Sequence, residues 1–191
     1  MPGSPSIWFA TSNDHKFGEA QFVLHEFGIV LRRLPSKGPE LQSGDPSEVA
    51  VHAAVGAYRA SRRPLFVEDT GFFIKPLRGF PGTCASFAFQ TLGLKGILKL
   101  MDRISTRDAE FVSAVAYCDG SSDPRVFVGR LKGMVALRPS GQRGFGFDPI
   151  FVPTGARRTL AQMTLAEKCA VSHRASALRA FGGWLSLNRS R

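Results

Sequence analysis

The sequence predicts an α/β fold, and three stretches predict it. Ile7-Trp8-Phe9-Ala10 is a short apolar strand. It is followed by the small polar residues Thr11 to Asp14 and then by a helical pattern from about Lys16 to Phe27. Leu65-Phe66-Val67-Glu68 is a second apolar rod, and it runs at once into Asp69, Thr70 and Gly71. Ala109 to Cys118 and Val126 to Leu137 are strand-like segments around a polar turn, Asp119 to Pro124, which predicts an antiparallel hairpin. Sheets of α/β proteins present ligands at the carboxyl ends of strands. An acid placed there, as Asp69 is, becomes a candidate functional residue.

The elements follow in order. Phe17, Ala20, Val23, Leu24 and Phe27 keep the helical period, and Gly28 is a natural stop. Ile29-Val30-Leu31 reads as a second strand, so the first unit predicts a right-handed parallel crossover. Pro35 to Pro46 is rich in Pro, Gly and Ser and reads as loop; it contains Glu40. Ser47 is placed to cap a helix from Glu48 to about Ser61. Gly79-Phe80-Pro81-Gly82 is turn chemistry. Ser86 to Met101 reads as helix interrupted near Gly93 to Gly96. Gly141 to Pro149 is a glycine-rich loop leading into Ile150-Phe151-Val152. Leu165 to Cys169 and Arg174 to Leu187 are the last helices, with Ser172 as a cap for the second.

At 191 residues with a 43% hydrophobic share, the chain can bury a sizeable core as one domain or two closely packed lobes. The formal charge of +10 points to anionic partners such as nucleic acid or polyphosphates. The arginines come in pairs (Arg32-Arg33, Arg62-Arg63, Arg157-Arg158) rather than in a run, so the surplus does not outline a nucleic-acid face. Cys84, Cys118 and Cys169 lack zinc spacing and suit a reducing cytoplasm. The first residues lack the pattern of a signal peptide, and no apolar run is long enough to span a bilayer.

Four groups carry chemistry. Thr11-Ser12-Asn13-Asp14-His15-Lys16 joins a strand to a helix start, where free amides and the helix dipole attract phosphate. Lys16 in a first turn opposes that dipole, and a bound anion would explain it; the alternative is an ordinary cap followed by a surface lysine. Glu40, Glu68 and Asp69 are acids that a hard divalent cation could use together with a triphosphate. Gly144-Phe145-Gly146-Phe147-Asp148 sets aromatic faces between glycines and supplies an acceptor for ring N–H groups, or else is a turn with buried Phe. Lys168, His173 and Arg174 crowd a helix start, where basic groups need an anionic or carbonyl partner.

Taken together these groups resemble the inosine triphosphate pyrophosphatase family, in an archaeal-looking form. The resemblance is carried in order by Thr11-x-Asn13-x-x-Lys16, Glu68-Asp69-Thr70-Gly71, Gly79-x-Pro81-Gly82-Thr83, Gly96 to Leu100, Gly144 to Phe151 and Glu167-Lys168-x-x-x-Ser172-His173-Arg174. It implies an elongated mixed sheet flanked by helices, two lobes around a central active-site cleft, and a homodimer. It implies that Thr11, Ser12, Asn13 and Lys16 hold a triphosphate and that Glu40 and Asp69 bind Mg²⁺. Asp69 would also accept a proton from the attacking water. Thr70, Phe145, Gly146, Phe147, Asp148, Lys168, His173 and Arg174 would contact substrate. The implied reaction turns ITP, dITP or XTP into the monophosphate and pyrophosphate. Lysines common in the family are replaced by Ala53 and Ser86, Cys84 stands where tyrosine is usual, and Gln162 replaces an acid. Two other readings stay open: a nucleotide- or nucleic-acid-binding protein with weakened catalysis, and a pyrophosphatase for other modified nucleotides.

Overall fold

The computed structural model describes residues 6–35, 41–121 and 123–188. The first unit is β1 (Ser6–Ala10), α1 (Asp14–His25) and β2 (Val30–Leu34), with β1 and β2 parallel as expected. α1 starts earlier than its apolar period because Asn13 caps it: Oδ1 accepts the Lys16 N–H at 3.1 Å. β2 extends through Arg32 and Arg33, since an edge strand tolerates charge. α2 (Pro46–Ser61) is capped by Asp45 rather than Ser47. Asp45 accepts the Ser47 N–H at 2.8 Å, and Pro46 fills the first helical position, where its missing N–H costs nothing.

β3 (Leu65–Ile74) is the main departure from expectation. The strand was expected to end at Glu68, yet it runs for ten residues, so Asp69, Thr70 and Gly71 lie mid-strand. The cause is a partner that no local pattern shows. β5 (Asp108–Cys118) pairs antiparallel with β3 from Leu65↔Cys118 to Ile74↔Ala109 and carries the ladder past the acids. β4 (Pro81–Gly82) then pairs with Phe72 and Phe73. α3 (Ala85–Leu100) is broken at Gly93, as the sequence suggests. β6 (Arg125–Val135) completes the predicted hairpin with β5, and β7 (Phe151–Pro153) pairs with its far end. α4 (Leu165–Val171) and α5 (His173–Asn188) close the described chain, and Ser172 Oγ accepts the Ala175 N–H at 3.1 Å. The mixed sheet runs β2-β1-β3-β5-β6-β7, with β4 on β3.

Alternation along β3 divides the interior. Phe66 packs with Ile7, Phe9 and Val115 beneath α1 and α5. Leu65 and Val67 face the other way, onto Ala50, Ala53, Ala54 and Ala57 of α2. Farther on, Phe72 and Ile74 join Phe111, Phe147, Ile150 and Phe151 in a third cluster with Ile97 of α3. Phe9, Phe66, Phe72 and Phe151 are fully buried, and each such side chain is worth about 1.5–3 kcal/mol. Glu68 and Thr70 sit between the Phe66 and Phe72 clusters, on the same face of β3. That gap in the apolar surface is where the polar residues converge.

Candidate active site

α1 brings Lys16 to β3. Its Nζ lies 2.9 Å from a Glu68 carboxylate oxygen and donates to the Glu68 carbonyl at 3.3 Å. This answers why a cation sits in a helix's first turn: the anion it needs is a buried side chain of the next strand but one. α5 repeats the device. Arg174, also in a first turn, places Nε 3.1 Å from Glu68, one terminal nitrogen 2.5 Å from Glu19 and the other 3.0 Å from Thr70 Oγ1. Thr70 Oγ1 and Ser113 Oγ both donate to Glu68 Oε1, the latter at 2.5 Å. Glu19 continues to Lys168 at 2.6 Å, and Lys168 to Asp148 at 2.5 Å.

The result is one buried line of charge: Lys16, Glu68, Arg174, Glu19, Lys168, Asp148. Cations and carboxylates alternate along it and balance. Burial works to raise the Glu68 carboxyl, but Arg174 and Lys16 outweigh it and hold it well below the usual carboxylate range. Glu19 is lowered in the same way, with burial opposed by Arg174 and Lys168. Asp148 goes the other way. Its burial wins over Lys168, a lysine it shares with Glu19, and its carboxyl is raised. Arg174 stays fully charged, because Glu68 and Glu19 overcome its burial.

His173 stands beside this line and takes no part in it. It is 2% exposed, stacked on Phe111 at 4.6 Å, and neither ring nitrogen has a hydrogen-bond partner among the described residues. Burial, reinforced by Arg174, pushes its imidazole well below the usual value and keeps it neutral. A neutral imidazole offers one donor and one acceptor to whatever lies against it.

The glycine-rich loop splits its two aromatic rings between tasks. Phe147 is buried and stacks on Phe72 at 5.0 Å, so its ring serves the core. Phe145 is turned toward the charged line, with Lys168 4.9 Å and Arg174 5.2 Å from its centroid. Asp148 Oδ2 anchors it by accepting the Phe145 N–H at 2.8 Å. Gly144 and Gly146, both at positive φ, flank Phe145, and a Cβ on Gly144 would run into that same Asp148 carboxylate.

The remaining expected residues fall as follows. Thr11 is buried, and its Oγ1 accepts the Asn13 N–H at 3.2 Å, while Ser12 is exposed. Asn13 is committed to capping α1 through its oxygen. Asp69 is half-buried on the face of β3 that α2 covers, opposite Glu68. Glu40 lies outside the described residues. Among the described residues no group of three or more His, Cys, Asp or Glu side chains could hold a metal ion. The half-buried Asp69 carboxylate is a hard oxygen donor of the type a divalent cation would take, with phosphates and waters needed to complete its shell.

Sequence reasoning missed Glu19 and Ser113 and underrated Glu68. Glu19 was within reach, because it follows Lys16 by one helical turn on the stripe that also holds Ala20 and Val23. Ser113 had no such signal, since only its pairing opposite Thr70 brings it to Glu68.

A profile of the Ham1 family matches residues 7–184. The chain belongs to the Ham1 family. Curated relatives named dITP/XTP pyrophosphatase include one from Methanopyrus kandleri, 42% identical over 95% of this chain and 97% of that protein. Another, from Saccharolobus solfataricus, is 43% identical over 94% and 93%. Among solved structures, a Mycobacterium abscessus nucleoside-triphosphatase / dITP/XTP pyrophosphatase is 33% identical, with a TM-score of 0.72 over 92% of this chain and 97% of that one. The Staphylococcus aureus Ham1 protein, at 23% identity, shares the fold with a TM-score of 0.81 over 96% and 99%. The family resemblance of the sequence motifs, and the mixed sheet flanked by helices that it implies, are therefore borne out. No helix among the described residues is long and apolar enough to cross a membrane.

Proposed function

We propose that the protein hydrolyses non-standard purine nucleoside triphosphates (ITP, dITP and XTP) to the monophosphate and pyrophosphate, clearing them from the nucleotide pool. The observation that carries this is the meeting of Lys16 and Arg174 on Glu68. It ties a helix start suited to phosphate to the end of the site that holds Phe145 and His173. The names of the curated relatives support the same substrates.

The residues divide by chemistry. The amides at the start of α1 and the Lys16 ammonium offset phosphate charge, and phosphoryl transfer depends chiefly on such positioning and neutralisation. Asp69 accepts the proton of the attacking water. A purine packs against Phe145, and a 6-oxo group finds donors in Arg174 and His173. Adenine presents an amine there and would leave a buried donor unpaired, which is the basis for rejecting ATP. Asp69, with Glu40, would hold Mg²⁺. Bound there, the ion would neutralise charge on the phosphates and lower the pKa of water.

Incubation with XTP or ITP and Mg²⁺ should give the monophosphate and pyrophosphate. Formation of the diphosphate and inorganic phosphate would refute the reading. Chelation with EDTA should abolish turnover and added Mg²⁺ restore it; activity that survives chelation would remove the metal from the scheme. A homodimer in the cytoplasm completes the proposal. Three free, scattered cysteines suit a reducing compartment. Light scattering should return about twice the 20.8 kDa chain mass.

A further inference from the structure

His15 falls between the named positions of the Thr11-x-Asn13-x-x-Lys16 motif, yet it is placed against a second motif. It lies between Asp14 and Lys16 in the first turn of α1. Its imidazole stacks on the Phe145 ring with centroids 5.0 Å apart and planes 10° from parallel. Lys16, the next residue, turns inward to Glu68. The first turn of α1 therefore touches two parts of the site at once: its lysine meets β3, and its histidine meets the glycine-rich loop.

The loop needs such a support. Among the described residues Phe145 is held by hydrogen bonds to Asp148 alone, its N–H donating to Oδ2 at 2.8 Å and its carbonyl accepting the Asp148 N–H at 3.2 Å, and it is flanked by two glycines at positive φ. Glycines on both sides leave the backbone there easy to rotate. Nothing within 4 Å would crowd a Cβ on Gly146, so packing does not restrain that side. His15 supplies a flat contact that sets the plane of the ring. The same imidazole lines a cavity of about 370 Å³ together with Glu19, Arg143, Gly144 and Lys168. A planar group in that cavity would lie next to His15, and Gly144 in the same lining leads directly into Phe145.

We propose that His15 is a positioning residue for the purine end of the site. It fixes the plane of Phe145 on which the base stacks, while Lys16 beside it serves the phosphates. This rests on the pyrophosphatase reading given above. An aromatic pair contributes about 0.5–1.5 kcal/mol beyond its buried area, so its loss should raise KM by roughly threefold to tenfold. Because His15 is stacked on the Phe145 ring and supplies no group to the reacting α-phosphate in this scheme, kcat should stay within about twofold.

The test compares wild type, His15→Ala and His15→Phe in steady-state hydrolysis of XTP, with inorganic tripolyphosphate as a competitive inhibitor that has no base. His15→Ala should raise KM for XTP and leave the inhibition constant of tripolyphosphate unchanged. His15→Phe, which restores a ring, should return KM to near the wild-type value. An unchanged KM in His15→Ala would overturn the inference. So would an equal rise in KM and in the tripolyphosphate constant, because His15 would then be acting on the phosphate end through α1. Failure to rescue with Phe would also overturn it. If wild type itself does not release pyrophosphate from XTP, the pyrophosphatase reading fails instead, and the two failures are told apart. His15 is exposed, so its replacement should lower the thermal midpoint by no more than a few degrees and keep these readings interpretable.

Discussion

Asp69 and Glu68 are adjacent, yet they meet different surroundings because a strand turns neighbouring side chains to opposite faces. Glu68 is 1% exposed and is the point where Lys16, Arg174, Thr70 and Ser113 meet. Breaking a buried ion pair leaves charge without compensation and costs about 3–5 kcal/mol. Glu68→Gln keeps the shape and removes the charge. Its unfolding free energy, from urea denaturation at pH 7, should fall by about that amount. Asp69 stands outside the line of charge. Asp69→Asn breaks no link of that line, so it should lower the urea midpoint less than Glu68→Gln does, and, on the proposed role of general base, it should lower kcat by a hundredfold or more. Retained turnover in Asp69→Asn would move the proton acceptor elsewhere. The two substitutions should thus separate stability from chemistry at consecutive positions.

α5 lies so close on β6 that Gly129 has no room for a side chain. A Cβ there would meet the His173 carbonyl oxygen and the Ala177 nitrogen, both in the α5 backbone. Gly129→Ala should push the start of α5 off the sheet. Overpacking of this kind costs about 1–3 kcal/mol. Here it should also raise KM, since His173 and Arg174 ride on the displaced turn; a melting curve and a substrate titration on the same sample would check both. The helices themselves were legible in the sequence. Ser172 and the Gly93 break are local signals, and each sits where the sequence places it, whereas the Asn13 cap starts α1 ahead of its apolar period. The length of β3 was not legible. A residue such as Thr70 continues or ends a strand according to the hydrogen bonds its backbone can find. Those come from Ser113 and its neighbours, more than forty positions away.

The molecule as a whole should lose stability in acid in two stages. His173 is held neutral in the fold but charges below about 6.5 once unfolded, so the unfolded chain binds the extra proton. Stability should begin to fall as pH drops through that value, by at most about 1.4 kcal/mol per pH unit for a single proton. His173→Phe should remove this first slope, as urea denaturation between pH 5 and 7 would show. Glu68 and Glu19 act later. Their folded carboxyls are depressed, so their contribution is complete above their ordinary value of 4.5 and is lost as pH falls below it toward the folded values. Asp148 is raised and opposes them, because protonating it eases its burial.

What the sequence alone determined was the set of parts: an α/β chain, a helix start fit for phosphate, an acid pair on an apolar strand, a ring-bearing glycine loop and a basic turn before the last helix. Each is written in neighbouring residues, where period, caps and glycines act over a few positions. Only the tertiary structure decided their wiring. It made Glu68 the shared partner of Lys16 and Arg174, recruited Glu19, gave Phe147 to the core and Phe145 to the site, and set His15 against that ring. These assignments depend on which side chains share a face and which charges are buried together. Such facts arise only when strands find partners and helices pack across them.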